Sequence, residues 1–121
     1  MQIQELDKNF NFHDSCITKI DYNQTTERLD IYMDFCNWDQ SWYKDSDPEL
    51  VRAKLTFEGI TAYNNLQGDI DYFSIGNAEL KGEKYYLFIE DDFNNESHEI
   101  FLTPSSASFV ILGPVEESGI R

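Results

Sequence analysis

The segment from Arg28 to Phe35 alternates strictly between apolar and polar side chains. Its apolar positions are Leu29, Ile31, Met33 and Phe35. A period of two is typical of a β-strand that has one face on a hydrophobic core and the other face in water. We therefore predict a strand here, with the apolar side chains buried and with Asp30 and Asp34 exposed, and we expect the rest of the chain to add strands around it.

A first strand is predicted from Ser15 to Tyr22, with Cys16, Thr18, Ile20 and Tyr22 on one face. A short polar connection joins it to the strand that begins at Arg28, as in an antiparallel hairpin. If Ile20 lies beside Ile31, the same register brings Ser15 close to Cys36, and a slip of one residue would separate them.

The remaining chain predicts further short strands separated by turns. These are 51–58, which ends at Gly59, one or two irregular strands within 69–80, then 85–90, 97–102 and 109–112. The last of these is apolar on both faces, which favours a central, buried position in the sheet. Met1–Asn11 is expected to be a lead-in that contains at most a short edge strand.

This spacing predicts a mostly β fold, namely an antiparallel sandwich or a partly open barrel of seven to eight short strands. At most one or two short helical turns are expected, around Pro48 and Tyr63. A length of 121 residues fits one domain that spans residues 1–121.

The net charge is −14, from 23 acidic and 9 basic residues. Phosphate-rich partners need the opposite sign, so the composition argues against nucleic acid and anionic membranes and favours a basic protein. The alternative that the charge only maintains solubility stays open. No apolar run is long enough to cross a bilayer, and Met1–Glu5 does not resemble a signal peptide. We expect a cytoplasmic protein whose Cys16 and Cys36 are reduced and unligated.

No catalytic, metal-binding or cofactor motif is present in the sequence, and we expect no cofactor. Either cysteine could in principle act with His13 or His98 and with Asp14. Free cysteines are usually structural, however, and no catalytic signature surrounds either of them. His13 and Asp14 stay as candidates for a pocket at the mouth of the barrel.

Two acidic stretches are candidates for binding a partner. The first is an aperiodic loop with the aromatic and acidic residues Trp38, Asp39, Trp42, Tyr43, Asp45 and Asp47. Its aromatic rings could anchor a partner inside a charged rim. They could also form a lid over the open end of the barrel, which we favour slightly because two exposed Trp side chains are costly for a monomer. The second stretch is Glu90, Asp91 and Asp92, within a segment from 85 to 120 that has no Lys or Arg.

Three short motifs carry a family resemblance. They are Phe12-His13-Asp14-Ser15-x-Ile17, Leu29-x-Ile31 and Leu55-x-Phe57-x-Gly59-Ile60. They resemble a group of small bacterial proteins, some of which are predicted to be immunity proteins of polymorphic toxin systems. The resemblance covers roughly the first half of the chain. It implies a cytoplasmic protein that neutralises a toxin by binding it, and it implies no catalytic residues.

Together these features favour a non-enzymatic, acidic binding protein, present as a monomer or a weak homodimer. Two alternatives stay open. One is a small enzyme or ligand-binding domain with a pocket near His13. The other is a structural module that pairs through an exposed strand edge.

Overall fold

The computed structural model describes residues 1–115 and shows one open, seven-stranded antiparallel sheet. In chain order the elements are α1 (Ile3–Asn9), β1 (Cys16–Asn23), β2 (Arg28–Cys36), a 3-10 turn (Asn37–Asp39), β3 (Leu50–Glu58), β4 (Gly68–Lys81), β5 (Lys84–Asp91), β6 (Glu96–Leu102) and β7 (Ser106–Pro114). The strands are arranged β6-β5-β4-β1-β2-β3-β7. The mostly β prediction is confirmed, with a single sheet in place of two packed sheets. None of the helices in residues 1–115 is long and apolar enough to cross a membrane.

Strand β2 lies near the middle of the sheet and pairs with β1 on one side and β3 on the other. Its four alternating apolar side chains are almost completely buried, as predicted. Ile20 lies opposite Ile31, which confirms the predicted register of the first hairpin. Ser15 also lies beside Cys36, whose backbone N–H donates to Ser15 Oγ at 3.0 Å, although a register shift between Ile17 and Lys19 separates this contact from the Ile20–Ile31 pair.

The outer face of β2 is less exposed than the alternation predicted. Only 8% of Asp34 is exposed, so the prediction for this residue is wrong. Asp30 is partly covered, and its carboxylate accepts hydrogen bonds from Thr56 Oγ1 at 2.6 Å and Arg28 Nε at 3.1 Å. A strand flanked on both sides has neighbouring side chains over its polar face as well as its apolar face.

A bulge in β1 corrects the predicted faces of that strand. The pairing shifts between Ile17 and Lys19 against both β2 and β4. A bulge inserts one residue and lets side chains three positions apart share a face. Ile17 and Ile20 are therefore both buried, whereas Cys16 and Tyr22 are only half-buried.

The sheet curls until strands that are not neighbours touch through their side chains. The rings of Phe57 in β3 and Tyr85 in β5 lie 5.4 Å apart. In β7, Phe109 packs on Phe35 at 4.7 Å and on Phe10 at 4.8 Å. The core therefore lies inside the curl of the sheet.

The first residues form helix α1, and the prediction of a lead-in with at most an edge strand is wrong. Ile3 and Leu6 are three positions apart, so they share one helical face, and both are buried. Asp7 accepts a hydrogen bond from the backbone N–H of Leu80 in β4 at 2.8 Å. The backbone of Met1 pairs with Ala107 in β7. The helix thus bridges β4 and β7 across the open side of the sheet.

Two other strands differ from the prediction. Strand β4 is one continuous strand of 14 residues, with a register shift next to Gly76 against β5. Strand β7 is an edge strand and not a central one, and Val110, Ile111 and Leu112 are each close to half exposed. An apolar run fits a buried central strand and an uncovered edge strand equally well, so its position depends on strand order.

Replacing Ile31 with alanine should destabilise the fold by about 2–5 kcal/mol, because the side chain is almost completely buried. Ile31→Val removes one methylene and should cost about 0.5–1.5 kcal/mol. Urea denaturation of both variants measures these differences in the free energy of unfolding. Equal stability of Ile31→Ala and the wild type would contradict the central place of β2.

Gly59 ends β3 with φ +78°, and a Cβ there would collide with Ser105 Oγ and lie 3.0 Å from the Ser105 backbone N. Gly82 also has a positive φ, of +64°, but has open space around it. Both Gly→Ala variants should lose about 1–2 kcal/mol to backbone strain. Gly59→Ala should lose about 1–3 kcal/mol more through the overlap, as thermal or urea unfolding would show. Equal losses in the two variants would contradict the close approach of Ser105.

Candidate functional site

A row of paired residues crosses the outer face of the sheet and carries two carboxylates. Glu90 in β5 lies opposite Ser74 in β4, Ser74 opposite Cys16 in β1, and Cys16 opposite Asp34 in β2. Directly opposed residues of an antiparallel sheet point to the same face. The register therefore brings two acids that are far apart in the sequence to one surface, on either side of Cys16.

Carboxylates from loops lie close to this row of residues, as the raised pKa values of the two cysteine thiols show. Burial raises the pKa of the Cys16 thiol, and the negative charges of Asp34, Asp14 and Asp92 raise it further. These carboxylates come from β2, from the loop before β1 and from the β5–β6 turn. All three therefore lie within electrostatic reach of one sulfur atom.

The pKa of the Cys36 thiol indicates a fourth carboxylate nearby. Burial, followed by the charge of Asp14, raises the pKa of its thiol to about 11, and Asp39 adds a smaller contribution. A hydrogen bond with Ser15 lowers the pKa slightly. We call the surface formed by Asp14, Asp34, Asp39, Glu90 and Asp92 the acidic face. It joins parts of both acidic stretches that the sequence had offered as separate candidates.

Little positive charge balances this surface. Within residues 1–115 there are three ion pairs, and only His13–Asp14, at 3.3 Å, involves the acidic face. Arg52 lies opposite Asp34 in the register but is not within ion-pair distance of it. Ion pairs within residues 1–115 therefore compensate little of the charge of the acidic face, although Asp34 itself is almost buried.

The loop before β1 is fixed to the sheet. Asp14 has φ +68°, and its backbone N–H donates to the carbonyl of Ile75 at 2.9 Å. The N–H of Ile75 donates in turn to the carbonyl of Ser15 at 2.8 Å. The side chains of His13 and Asp14 are both more than half exposed. They present charge to solvent and do not form the floor of an enclosed pocket.

The aromatic loop combines the anchor and lid interpretations. Trp42 donates from Nε1 to Asn37 Oδ1 at 3.3 Å and packs edge-on against Phe10 at 5.6 Å, yet 40% of it is exposed. Trp38 is 48% exposed, and Tyr43 is half-buried. Trp42 therefore covers part of the core, whereas Trp38 is available to a partner.

The acids of this loop have different roles. Asp39 accepts a hydrogen bond from Asn11 Nδ2 at 3.1 Å. Asp47 closes a tight turn by accepting from the backbone N–H of Lys44 at 3.0 Å. Asp45 is exposed. Of these three carboxylates, Asp39 is the one whose charge acts on the Cys36 thiol.

A buried glutamine, which sequence reasoning missed, holds the loop in place. Gln40 Nε2 donates to the carbonyl of Asn11 at 2.6 Å and to that of Cys36 at 2.9 Å. Its Oε1 accepts from the backbone N–H of Asn11. An isolated Gln in a polar loop gives no sequence signal of burial. These bonds fix Trp38 and Asp39 relative to the sheet.

The β5–β6 turn presents an aromatic ring that sequence reasoning also missed. Asp91 is buried, and its carboxylate accepts hydrogen bonds from the backbone N–H groups of Phe93 and Asn94 and from Asn94 Nδ2. Asp91 therefore builds the turn and is not free to bind a partner. The turn exposes Asp92 and leaves Phe93 82% exposed. In the sequence, a phenylalanine within an otherwise polar turn was the signal that could have indicated this exposed ring.

Other kinds of site have less support in the described part of the chain. A polar cleft of about 340 Å³, which Lys8 and Asp39 help to line, lies between α1 and the 3-10 turn, but no cysteine or histidine lines it. Residues 1–115 contain no group of three or more His, Cys, Asp or Glu side chains placed to hold a metal. Both cysteines are free thiols.

Comparisons with known proteins give no further assignment. No family model matches the chain, and no solved structure matches it.

The alkylation rate of Cys16 should reveal the carboxylates that lie around it. A raised pKa leaves little thiolate at pH 8, so alkylation by iodoacetamide should be slow in the folded protein and faster after denaturation. Replacing Asp92 with Asn should lower the pKa of Cys16 and speed its alkylation. Asp71→Asn, at an exposed position elsewhere, is the matched control. Peptide mapping by mass spectrometry separates Cys16 from Cys36, and equal rates in the two variants would contradict the convergence.

Proposed function

We propose that this chain is a non-enzymatic binding protein that neutralises a basic protein by covering its positively charged surface. This is the mode of action implied by its resemblance to immunity proteins of polymorphic toxin systems, and it would operate in the cytoplasm. The observation that carries the proposal is the acidic face, where carboxylates from separate parts of the chain meet with little opposing charge.

Charge of this kind acts mainly on the approach of the partner. Complementary fields guide two proteins together and can raise association rates by about 10- to 1,000-fold at low salt. A toxin that acts on nucleic acid needs a basic cleft for the phosphates. An acidic protein that fills such a cleft would block the substrate by competing for the same charges.

Affinity also needs contacts that persist after the encounter. Aromatic side chains surrounded by polar groups are the usual anchors of protein interfaces. Trp38 precedes Asp39 in one loop, and Phe93 follows Asp92 in one turn. Phe93 is 82% exposed and Trp38 is 48% exposed, and each adjoins a member of the acidic face in the sequence.

The hydrogen bonds that hold Trp38 and Phe93 in place support the same role. Gln40 holds the Trp38 loop and Asp91 holds the Phe93 turn, in each case through several hydrogen bonds. Segments that are already ordered lose less conformational freedom when a partner binds. The two anchors are therefore prepared for binding before the partner arrives.

The test begins by isolating the partner from cells of the source organism and purifying it. The association rate should fall between 0.01 M and 0.1 M salt, as the Debye length shortens from roughly 30 Å to 10 Å. The double variant Asp14→Lys and Asp92→Lys should slow association by about tenfold or more at low salt. Trp38→Ala and Phe93→Ala should mainly speed dissociation.

The matched control is Glu83→Lys, at an exposed turn roughly 23 Å along the chain from Glu90 at about 3.3 Å per residue. It makes the same charge change per substitution but lies away from the acidic face, so the association rate should change much less. Equal slowing by Glu83→Lys would show that only the net charge matters. A partner that proves to be nucleic acid, or binding that does not depend on salt, would contradict the proposal.

A further inference from the structure

Strand β7 is an edge strand without the usual protection. Edge strands commonly carry charged residues, which discourage pairing with another chain. The sequence of β7, from Ser106 to Pro114, has no charged residue. Val110, Ile111 and Leu112 are each close to half exposed. The strand therefore offers both apolar side chains and an open backbone to another strand.

The hydrogen bonds of Ala107 show which backbone groups are open. Its N–H and carbonyl both bond to Met1, so they point away from β3. Backbone groups alternate in direction along a strand, and those of Phe109 and Ile111 therefore point to the same outer side. Within residues 1–115, the backbone hydrogen bonds to that outer side come from Met1 alone. The open length begins after Ala107 and ends at the Gly113-Pro114 pair.

The charge around β7 distinguishes it from the acidic face. On the neighbouring strand, Lys54 lies opposite Val110, and Arg52 lies opposite Gly113. Asp34 in β2, the member of the acidic face on the strand nearest to β7, is two strands away from it, which is roughly 10 Å at about 4.8 Å per strand. The Debye length at physiological ionic strength is about 8 Å. The acidic face therefore repels little at β7, and a basic partner finds no local carboxylates on this strand.

We propose that β7 pairs antiparallel with β7 of a second copy of this chain, around a twofold axis that passes beside Val110. Phe109 would lie opposite Ile111 of the second copy, and Ile111 opposite Phe109. Each of these two pairs exchanges two backbone hydrogen bonds. The two seven-stranded sheets then form one continuous sheet across the axis.

The open backbone groups select this register. An axis at Phe109 would require Ala107, which is already bonded to Met1. An axis at Ile111 would require Gly113, beyond the register shift that separates Arg52 from Ala53 in the β3–β7 pairing. An axis at Val110 uses the two open residues and no others. It also brings the two Val110 side chains together on the outer face, as a directly opposed pair.

The two β7 strands pair over a short length, and the dimer should respond to salt differently from binding at the acidic face. Only about five residues from each copy take part, so the interface is small and the dimer should be weak, forming between about 10 µM and 1 mM. Each copy has a net charge of −14, so salt should strengthen the dimer by screening the remaining repulsion. Binding of a basic partner at the acidic face should instead weaken with salt. The two interactions can therefore fail or succeed independently.

The test is disulfide trapping in the full chain. Val110→Cys should form a covalent dimer under mild oxidation, because the opposed Cβ atoms lie close enough for a disulfide. The matched control is Ser108→Cys, two residues away on the same exposed face. Its copy would be about 14 Å distant along the paired strands, beyond the reach of a disulfide. The wild type controls for the half-buried Cys16 and the buried Cys36.

Sedimentation of the uncross-linked protein completes the test. The wild type should dimerise more at 0.5 M than at 0.05 M salt, and Ile111→Lys should reduce dimerisation at least about tenfold by placing two charges at the edge. Equal cross-linking of Ser108→Cys and Val110→Cys would overturn the proposal, as would a monomer at about 1 mM, which leaves the edge to a different protein. A dimer that weakens with salt would also overturn it.

Discussion

The structure depends on the burial of the four apolar side chains of β2 between β1 and β3. These side chains alternate along the strand, so one register places all of them in the core and a slip of one residue would expose all of them. That register also determines which residues meet on the outer face. The pairing of Cys16 with Asp34 depends on the bulge in β1 as well, because the register of the Ile20–Ile31 pair, continued without a shift, would set Cys16 opposite Phe35.

The acidic face is a consequence of strand register together with the bulge in β1. Asp34 is placed by β2, and Glu90 by the pairing of β5 with β4 and of β4 with β1. Loops that are closely bonded to the sheet add Asp14, Asp39 and Asp92 around the two cysteines. Of the three ion pairs within residues 1–115, only His13–Asp14 involves this surface. A surface that keeps such charge is suited to a partner of opposite sign.

The two proposed surfaces lie on different parts of the sheet and use different physics. The acidic face attracts a partner over a distance and holds it with two exposed aromatic rings. The edge of β7 has no charge and offers backbone hydrogen bonds and aliphatic side chains at short range. Two strands, β2 and β3, lie between Cys16 and β7, so a dimer through β7 leaves the acidic face open. A paired molecule could present two such faces to its partners.

The sequence by itself determined the strands with clear alternation, because period two is a local property of the chain. It thus predicted β2, β3, β5 and β6 and the register of the first hairpin up to the bulge in β1. It could not decide that Phe109–Leu112 lies at an edge, that Asp34 is covered or that Asp91 holds a turn, since each depends on neighbours distant in the chain. Helix α1 was missed because its short apolar face is completed by packing against β4 and β7. Only the tertiary structure brought the two acidic stretches to one surface, because strand order and register decide which distant residues become neighbours.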